Sequence, residues 1–327
     1  MSMLLDWARL AAGAILLYLG AEWFVAGASA LAIAIRIPKI IIGLTVVAYG
    51  TSAPEVIVGV EAALANHGAV ALGNVIGSNI ANIGLILGAS ALAKPLVVDT
   101  SLRRRELPVL AASTVLLFLL LLDGVVTRWE GAGLLFLACL YTGWMIRATR
   151  RATVGRGAQP GMELPDSVVH LAGGAQARGL LRLSAKTVVG LSLLLLGGSW
   201  FVAGAVAAAR ELHMSERVVG LTIVAVGTSL PELVTSLVAV RRGHTDLALG
   251  NVFGSNIFNV LLCLGSAALV RSMAAPLTAV AVDLSALGFM TALLAFFIWQ
   301  GRSISRRMGA CALAAYLILM AITLLRG

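Results

Sequence analysis

The chain has 327 residues, 60% of them hydrophobic and 12% charged, with a mean hydropathy of +0.98. A soluble domain carries about a quarter of its residues as Asp, Glu, Lys and Arg. Half that share, with recurring apolar runs of the roughly 20 residues that a bilayer demands, excludes a soluble enzyme, a disordered chain and a disulfide scaffold. The formal charge of +9 would point to nucleic acid in a soluble protein; in a membrane protein it belongs to cationic loops that fix orientation, and no nucleic-acid partner is expected.

In chain order the apolar stretches are 8–35, 40–65, 69–93, 106–123 and 130–148, then 184–210, 217–240, 247–270, 277–299 and 308–326. The first contains small residues that imitate a signal-peptide cleavage region. Its segment Leu19-Gly20-Ala21-Glu22-Trp23-Phe24-Val25-Ala26-Gly27-Ala28 returns as Leu196-Gly197-Gly198-Ser199-Trp200-Phe201-Val202-Ala203-Gly204-Ala205, so it is expected to be a retained span. Cys139, Cys263 and Cys311 lie in apolar runs without CxxC spacing and read as small buried hydrophobes.

The match between those segments has an offset of 177 residues, and the offset continues without a gap. Between Gly43–Gly88 and Gly220–Gly265, 25 of 46 positions are identical, including the Pro-Glu and Gly-Ser-Asn blocks. Five stretches per copy is an odd number, so the second copy enters from the opposite side. The expected fold class is an all-α integral membrane protein with ten transmembrane helices as two inverted five-helix repeats. The first repeat covers 1–148 (motif 43–88), a cytoplasmic linker 149–183, and the second repeat 184–327 (motif 220–265). With the N-terminus outside, 18 of the 24 Lys and Arg residues fall on the cytoplasmic side and 6 on the other. That bias places a multi-pass protein in the cell membrane with both termini extracytoplasmic.

Glu55 and Glu232 stand inside apolar stretches at equivalent positions. A charged carboxylate at the bilayer centre costs about 2.5–3.5 kcal/mol on insertion scales. Each therefore needs a partner or a water-filled cavity, and neither stretch has a basic residue near its middle to supply a structural ion pair. Thr51 and Glu55, four apart, share a helix face, as do Thr228 and Glu232. Pro54 cannot donate to the carbonyl of Gly50, nor Pro231 to that of Gly227. Freed carbonyls beside Thr, Ser and Glu oxygens make a cation site, as in other broken-helix transporters. Ser78 with Asn82, and Ser255 with Asn259, repeat the spacing of four and are expected to line it. Asn79 and Asn256 read as interhelical hydrogen-bonding residues, and Gly73, Gly77, Gly250 and Gly254 as close-packing positions. Glu22 faces Ser199 in the repeat and reads as an interfacial or hydrogen-bonded group. Glu61 and Asp283 are left outside the site as lacking acidic counterparts.

Every candidate ligand is oxygen, which suits Ca²⁺ with its six to eight adaptable oxygen ligands and not zinc or copper. Two carboxylates match one Ca²⁺ or a similar count of Na⁺, and competition for them would couple the two ions.

The blocks Gly-Thr-Ser-x-Pro-Glu (50–55, 227–232) and Gly-Asn-x-x-Gly-Ser-Asn (73–79, 250–256) resemble the paired alpha-repeats of sodium/calcium exchangers, in the cation/calcium exchanger superfamily. The resemblance spans essentially the whole chain. It implies Na⁺ and Ca²⁺ sites between the second, third, seventh and eighth helices, with Glu55 and Glu232 as central ligands. It further implies that Thr51 and Thr228, with carbonyls near Ala48 and Ala225, bind Ca²⁺ or flanking Na⁺. Ser52, Ser229, Ser78 and Ser255 would line the Na⁺ positions, and Asn82 and Asn259 the centre. The first and sixth helices would slide to alternate access, and three Na⁺ would move per Ca²⁺. Potassium-dependent relatives have Asp at the position of Asn259, which weakens a potassium-coupled reading. The expected activity is Na⁺/Ca²⁺ exchange, with Ca²⁺/H⁺ or K⁺-dependent Na⁺/Ca²⁺ antiport as the alternative and a passive cation channel further behind. An enzyme is not expected: no Gly-x-Ser-x-Gly or HExxH motif is present. No cofactor is called for, Ca²⁺ and Na⁺ being cargo, and the lipid bilayer is the expected surrounding partner.

Overall fold

A computed structural model describes residues 2–35, 37–155, 174–211, 225–274 and 277–326. The long first helix, α1 (Ser2–Ala34), is followed by a bent pair, α2 (Lys39–Thr51) and α3 (Ala53–Leu64), and then by α4 (Gly68–Ala93). A two-residue strand β1 (Leu96–Val97), α5 (Leu107–Leu120), β2 (Val125–Val126) and α6 (Arg128–Gly155) complete the first half. The second half holds α7 (Gly174–Glu211), α8 (Ala225–Thr228), α9 (Leu230–Arg241), α10 (Thr245–Val270), β3 (Met273–Ala274), α11 (Leu277–Gln300), β4 (Ser303–Ile304) and α12 (Arg306–Arg326).

Among the described residues, seven helices are long and apolar enough to cross a bilayer, or eight with the bent pair α2–α3 counted as one span. The stretch expected at 106–123 is helical as far as Leu120, α5 continuing without a break from a π-helical turn at Leu102–Glu106, but it is not among those seven. The start of the stretch at 217–240 lies outside the described residues. The segment expected as a linker, 149–183, is partly helical, since α6 runs on to Gly155 and α7 begins at Gly174. Arg, Ala and Thr at 149–153 meet no Gly or Pro before Gly155, and 174–186 is rich in the helix formers Ala, Leu, Arg and Gln. Residues 156–173 lie outside the described ones.

The two halves meet around an approximate two-fold axis. Thr114 in α5 and Thr291 in α11, 177 residues apart, bring their hydroxyls to 3.3 Å. The strands obey the same relation. β1 pairs antiparallel with β4 (Leu96 with Ile304), and β2 with β3 (Val126 with Met273), so each small ladder ties one half to the other. The offset also places Asp283 opposite Glu106, which corrects the expectation that Asp283 lacks an acidic counterpart; Glu106 is buried and accepts a hydrogen bond from Tyr141 OH.

α1 and α7 lie antiparallel, backbone against backbone. Gly13, Gly20 and Gly27 of α1, and their repeats Gly190, Gly197 and Gly204 of α7, recur every seven residues along this seam. A Cβ at Gly27 would stand 2.6 Å from Thr187 Oγ1, and one at Gly204 2.7 Å from Leu10 N, so the approach demands glycine. Cys139 and Cys311 are exposed, not buried as expected, on helices whose outer faces are apolar; a thiol is apolar enough for that surface. Cys263 is buried.

Candidate cation site

The site forms where the two broken helices face each other. α2 ends at Thr51, and Ser52 (φ −80°, ψ 6°) leaves the helical conformation and starts α3. Ser229 (φ −87°, ψ 6°) does the same between α8 and α9. Pro54 and Pro231 sit in the first turn of the new helix, where a missing N–H breaks no bond. The resulting bend between α2 and α3 is 42°. Glu55 and Glu232 thereby fall in the first turns of α3 and α9, at the positive ends of helices, which favour an anion.

The two carboxylates are stitched across the halves. Ser52 Oγ donates to Glu232 Oε1 at 3.2 Å, and Ser229 Oγ donates to Glu55 Oε1 at 3.3 Å. Each glutamate is 1% exposed, and the second oxygen of each, Oε2, is buried with no hydrogen-bond partner. The ion pairs among the described residues, Arg9–Asp6 and Arg242–Glu22, leave both out. Buried anionic oxygens without donors are costly, and a cation seated between them removes that cost. Asn82 Oδ1, Thr228 Oγ1 and Ser255 Oγ are likewise buried and unpartnered, which adds neutral oxygens to the charged ones. Among the described residues no group of three His, Cys, Asp or Glu side chains gathers. The donor set is two carboxylates and hydroxyl, amide and carbonyl oxygens, the chemistry of a hard cation.

Ser78 is buried on α4, and Asn82 and Asn259 open π-helical turns at Asn82–Ile86 in α4 and Asn259–Leu264 in α10. Such turns disturb the regular backbone bonding and recur at functional sites. Asn259 is held at both ends: its Nδ2 donates to Asn79 Oδ1 at 3.1 Å, and its Oδ1 accepts from Cys263 Sγ at 3.4 Å. The carbonyl of Ala48 accepts from Ser52 N at 3.0 Å. Ala225 opens α8. Gly250 and Gly254 pack tightly on Gly43, Leu44 and Ala48, whereas Gly73 and Gly77 are exposed, contrary to the close-packing role expected of all four.

Sequence reasoning missed three residues here. Asn74 Nδ2 donates to the main-chain carbonyl of Glu55 at 3.1 Å. Its repeat, Asn251, donates to the carbonyl of Glu232 at 3.4 Å and to Ser236 Oγ at 3.0 Å. The signal was present in the duplicated Gly-Asn pairs at 73–74 and 250–251. Cys263 had no such signal, because Ile86 stands at its repeat position.

The family described as "Sodium/calcium exchanger protein" matches residues 5–147 and 185–325 of the chain. A putative antiporter, CaxA, of Alkalimonas amylolytica is 38% identical over 253 residues, 77% of each chain. The sodium/calcium exchanger MaX1 of Methanosarcina acetivorans is 31% identical over 335 aligned positions, 95% of this chain and 96% of its own. Among solved structures, the sodium-calcium exchanger NCX_Mj soaked with 10 mM Na⁺ and zero Ca²⁺ superposes with a TM-score of 0.83 at 32% identity, covering 98% of this chain and 99% of that one.

Proposed function

The chain belongs to the sodium/calcium exchanger family, and from that membership we propose that it exchanges Na⁺ for Ca²⁺ across a membrane by alternating access. The observation that carries the reading is the mirrored pair Glu55 and Glu232, whose Oε2 atoms are buried, unpartnered and free of any Lys or Arg among the described residues. A Ca²⁺ and a set of Na⁺ ions compete for the same two charges. Leaving the two buried charges without a cation is electrostatically unfavourable, and that competition couples the fluxes. Glu55, Glu232, Thr51, Thr228, Ser52, Ser229, Ser78, Ser255, Asn82 and Asn259, with the carbonyls of Ala48 and Ala225, form the proposed ligand set. Asn259 enters it by turning its oxygen away from Cys263.

We read the chain as ten spans in two inverted repeats, 1–148 and 184–327. The bent pair α2–α3 is one span, α5 with its preceding turn is another, and 217–240 is the counterpart of α2–α3. Both termini face outward on the loop-charge bias, and the connection between the repeats is cytoplasmic.

The test uses the purified protein in proteoliposomes loaded with Na⁺ and diluted into Na⁺-free medium containing ⁴⁵Ca²⁺. Uptake rises with the outward Na⁺ gradient, is not replaced by a K⁺ or pH gradient, and is lost in Glu55→Gln and Glu232→Gln. A folded Gln variant with full exchange would overturn the reading, as would uptake indifferent to Na⁺. Flux without any counter-ion would identify a channel instead.

A further inference from the structure

At the two site threonines the approximate two-fold symmetry is broken among the described residues. Thr51 Oγ1 has one proton, shared between Val47 O at 3.1 Å and Asn251 Oδ1 at 3.2 Å across the repeat boundary. Asn251 spends both its amide hydrogens on Glu232 O and Ser236 Oγ. Among the described residues the equivalent hydroxyl, Thr228 Oγ1, is buried with no partner at hydrogen-bond distance, and Asn74 bonds the carbonyl of Glu55 and not Thr228. Exposure follows the same division. Asn251, Gly250 and Gly254 are buried, whereas Asn74 is half-buried and Gly73 and Gly77 are exposed.

We propose that Asn251 and Asn74 are positioning residues that act as alternating straps. Each carboxamide pins the main chain of its own repeat's glutamate. It also takes the opposite repeat's threonine hydroxyl in the access state that is closed on its side. In the conformation seen here the Asn251 strap is fastened and the Asn74 strap is open. Because the repeats are inverted copies, turnover exchanges their environments: Thr51 releases Asn251 and Thr228 donates to Asn74. The amide bond to each glutamate carbonyl persists through the exchange, so the carboxylates stay aimed at the cation while the seal changes sides. One difference biases the balance. Ser236, a partner of Asn251, has Gly59 as its repeat equivalent, so the strap fastened here has the better-held acceptor.

The inference rests on the exchange reading for its meaning, but its test needs no ion gradient and can fail while exchange stands. Gly73→Cys in the full chain, reconstituted and treated with a membrane-impermeant maleimide in Na⁺-free, Ca²⁺-free buffer, reports the state in which that position is exposed; the parent without Gly73→Cys gives the baseline for Cys139 and Cys311. One buried hydrogen bond favouring this state corresponds to about a fivefold shift in population. Asn251→Ala is expected to slow labelling by about that factor. Adding Asn74→Ala removes the opposing strap and is expected to restore labelling to within about twofold of the Gly73→Cys parent. A merely structural role predicts no such compensation. Where Asn251→Ala does not fold, Thr51→Val with and without Thr228→Val runs the same comparison, with Thr51→Ser as the conservative variant that keeps parental labelling. Unchanged labelling in Asn251→Ala, or a double variant further from the parent than the single, overturns the proposal.

Discussion

A serine hydroxyl on a buried carboxylate decides how that carboxylate is held between turnovers. Ser52 and Ser229 each serve the glutamate of the other repeat, at 3.2 and 3.3 Å. A hydrogen bond to a charged group contributes about 1.5–3 kcal/mol, which corresponds to between tenfold and a hundredfold in an equilibrium constant. Losing that donor alone would favour the cation-bound state, but each serine oxygen is also a proposed cation ligand, so Ser52→Ala and Ser229→Ala, which remove that ligand, are each expected to raise the Na⁺ concentration for half-maximal ⁴⁵Ca²⁺ exchange by about tenfold. Ser52→Thr, which keeps the hydroxyl, is expected to stay near the parent. Alanine variants with parental Na⁺ dependence would remove these serines from the cation site. The crossing itself was not legible in the sequence. A constant offset of 177 shows which residues are equivalent, and so it pairs Ser52 with Ser229. It carries no information on which of them touch, because contact depends on how the two copies face each other.

At the scale of elements, the glycine seam makes α1 and α7 one antiparallel body. One side chain ties that body to the rest at a place symmetry does not repeat. Arg242, just past α9, donates through Nε to Glu22 Oε2 of α1 at 2.9 Å, with a second bond from its terminal nitrogen. The repeat equivalents are Ser199 for Glu22 and Ala65 for Arg242, so the opposite face has no such pair. Both side chains are partly exposed, 37% for Arg242 and 23% for Glu22, and a pair of this kind contributes at most about 1 kcal/mol. Glu22→Gln is accordingly expected to shift the ratio of apparent Ca²⁺ affinities at the two membrane faces by about two- to fivefold, read as ⁴⁵Ca²⁺ exchange in right-side-out and inverted vesicles. An unchanged ratio would mean that the pair does not latch α1. The sequence made the helix breaks readable, since Gly-Thr-Ser-x-Pro-Glu contains both the loosened turn and the missing donor. It did not reveal the π-helical turns at Asn82 and Asn259, which no residue pattern announces. Nor did it show α6 reaching Gly155, because a polar helix leaving the bilayer loses the apolar run that marked it.

The whole molecule raises a question of charge. Two carboxylates balance one Ca²⁺ without remainder, and both second-block residues, Asn82 and Asn259, are neutral amides. The buried centre therefore offers two negative charges to whatever set of Na⁺ ions replaces Ca²⁺. If two Na⁺ exchanged for each Ca²⁺, neither half of the cycle would move net charge. The third Na⁺ that the family resemblance implies needs only neutral oxygens, and the unpartnered Thr228 Oγ1 and Ser255 Oγ can supply them. A cycle of three Na⁺ for one Ca²⁺ carries one positive charge across the membrane. Each 100 mV then contributes about 2.3 kcal/mol to the driving force, equivalent to roughly a fiftyfold change in the Ca²⁺ gradient at equilibrium. The membrane potential of proteoliposomes can be set with K⁺ gradients and valinomycin at a fixed Na⁺ gradient. The Ca²⁺ ratio at which net flux stops is expected to move by about that factor per 100 mV. A reversal point independent of potential would mean two Na⁺ per Ca²⁺, and the neutral oxygens beside the glutamates would then belong to the Ca²⁺ shell alone.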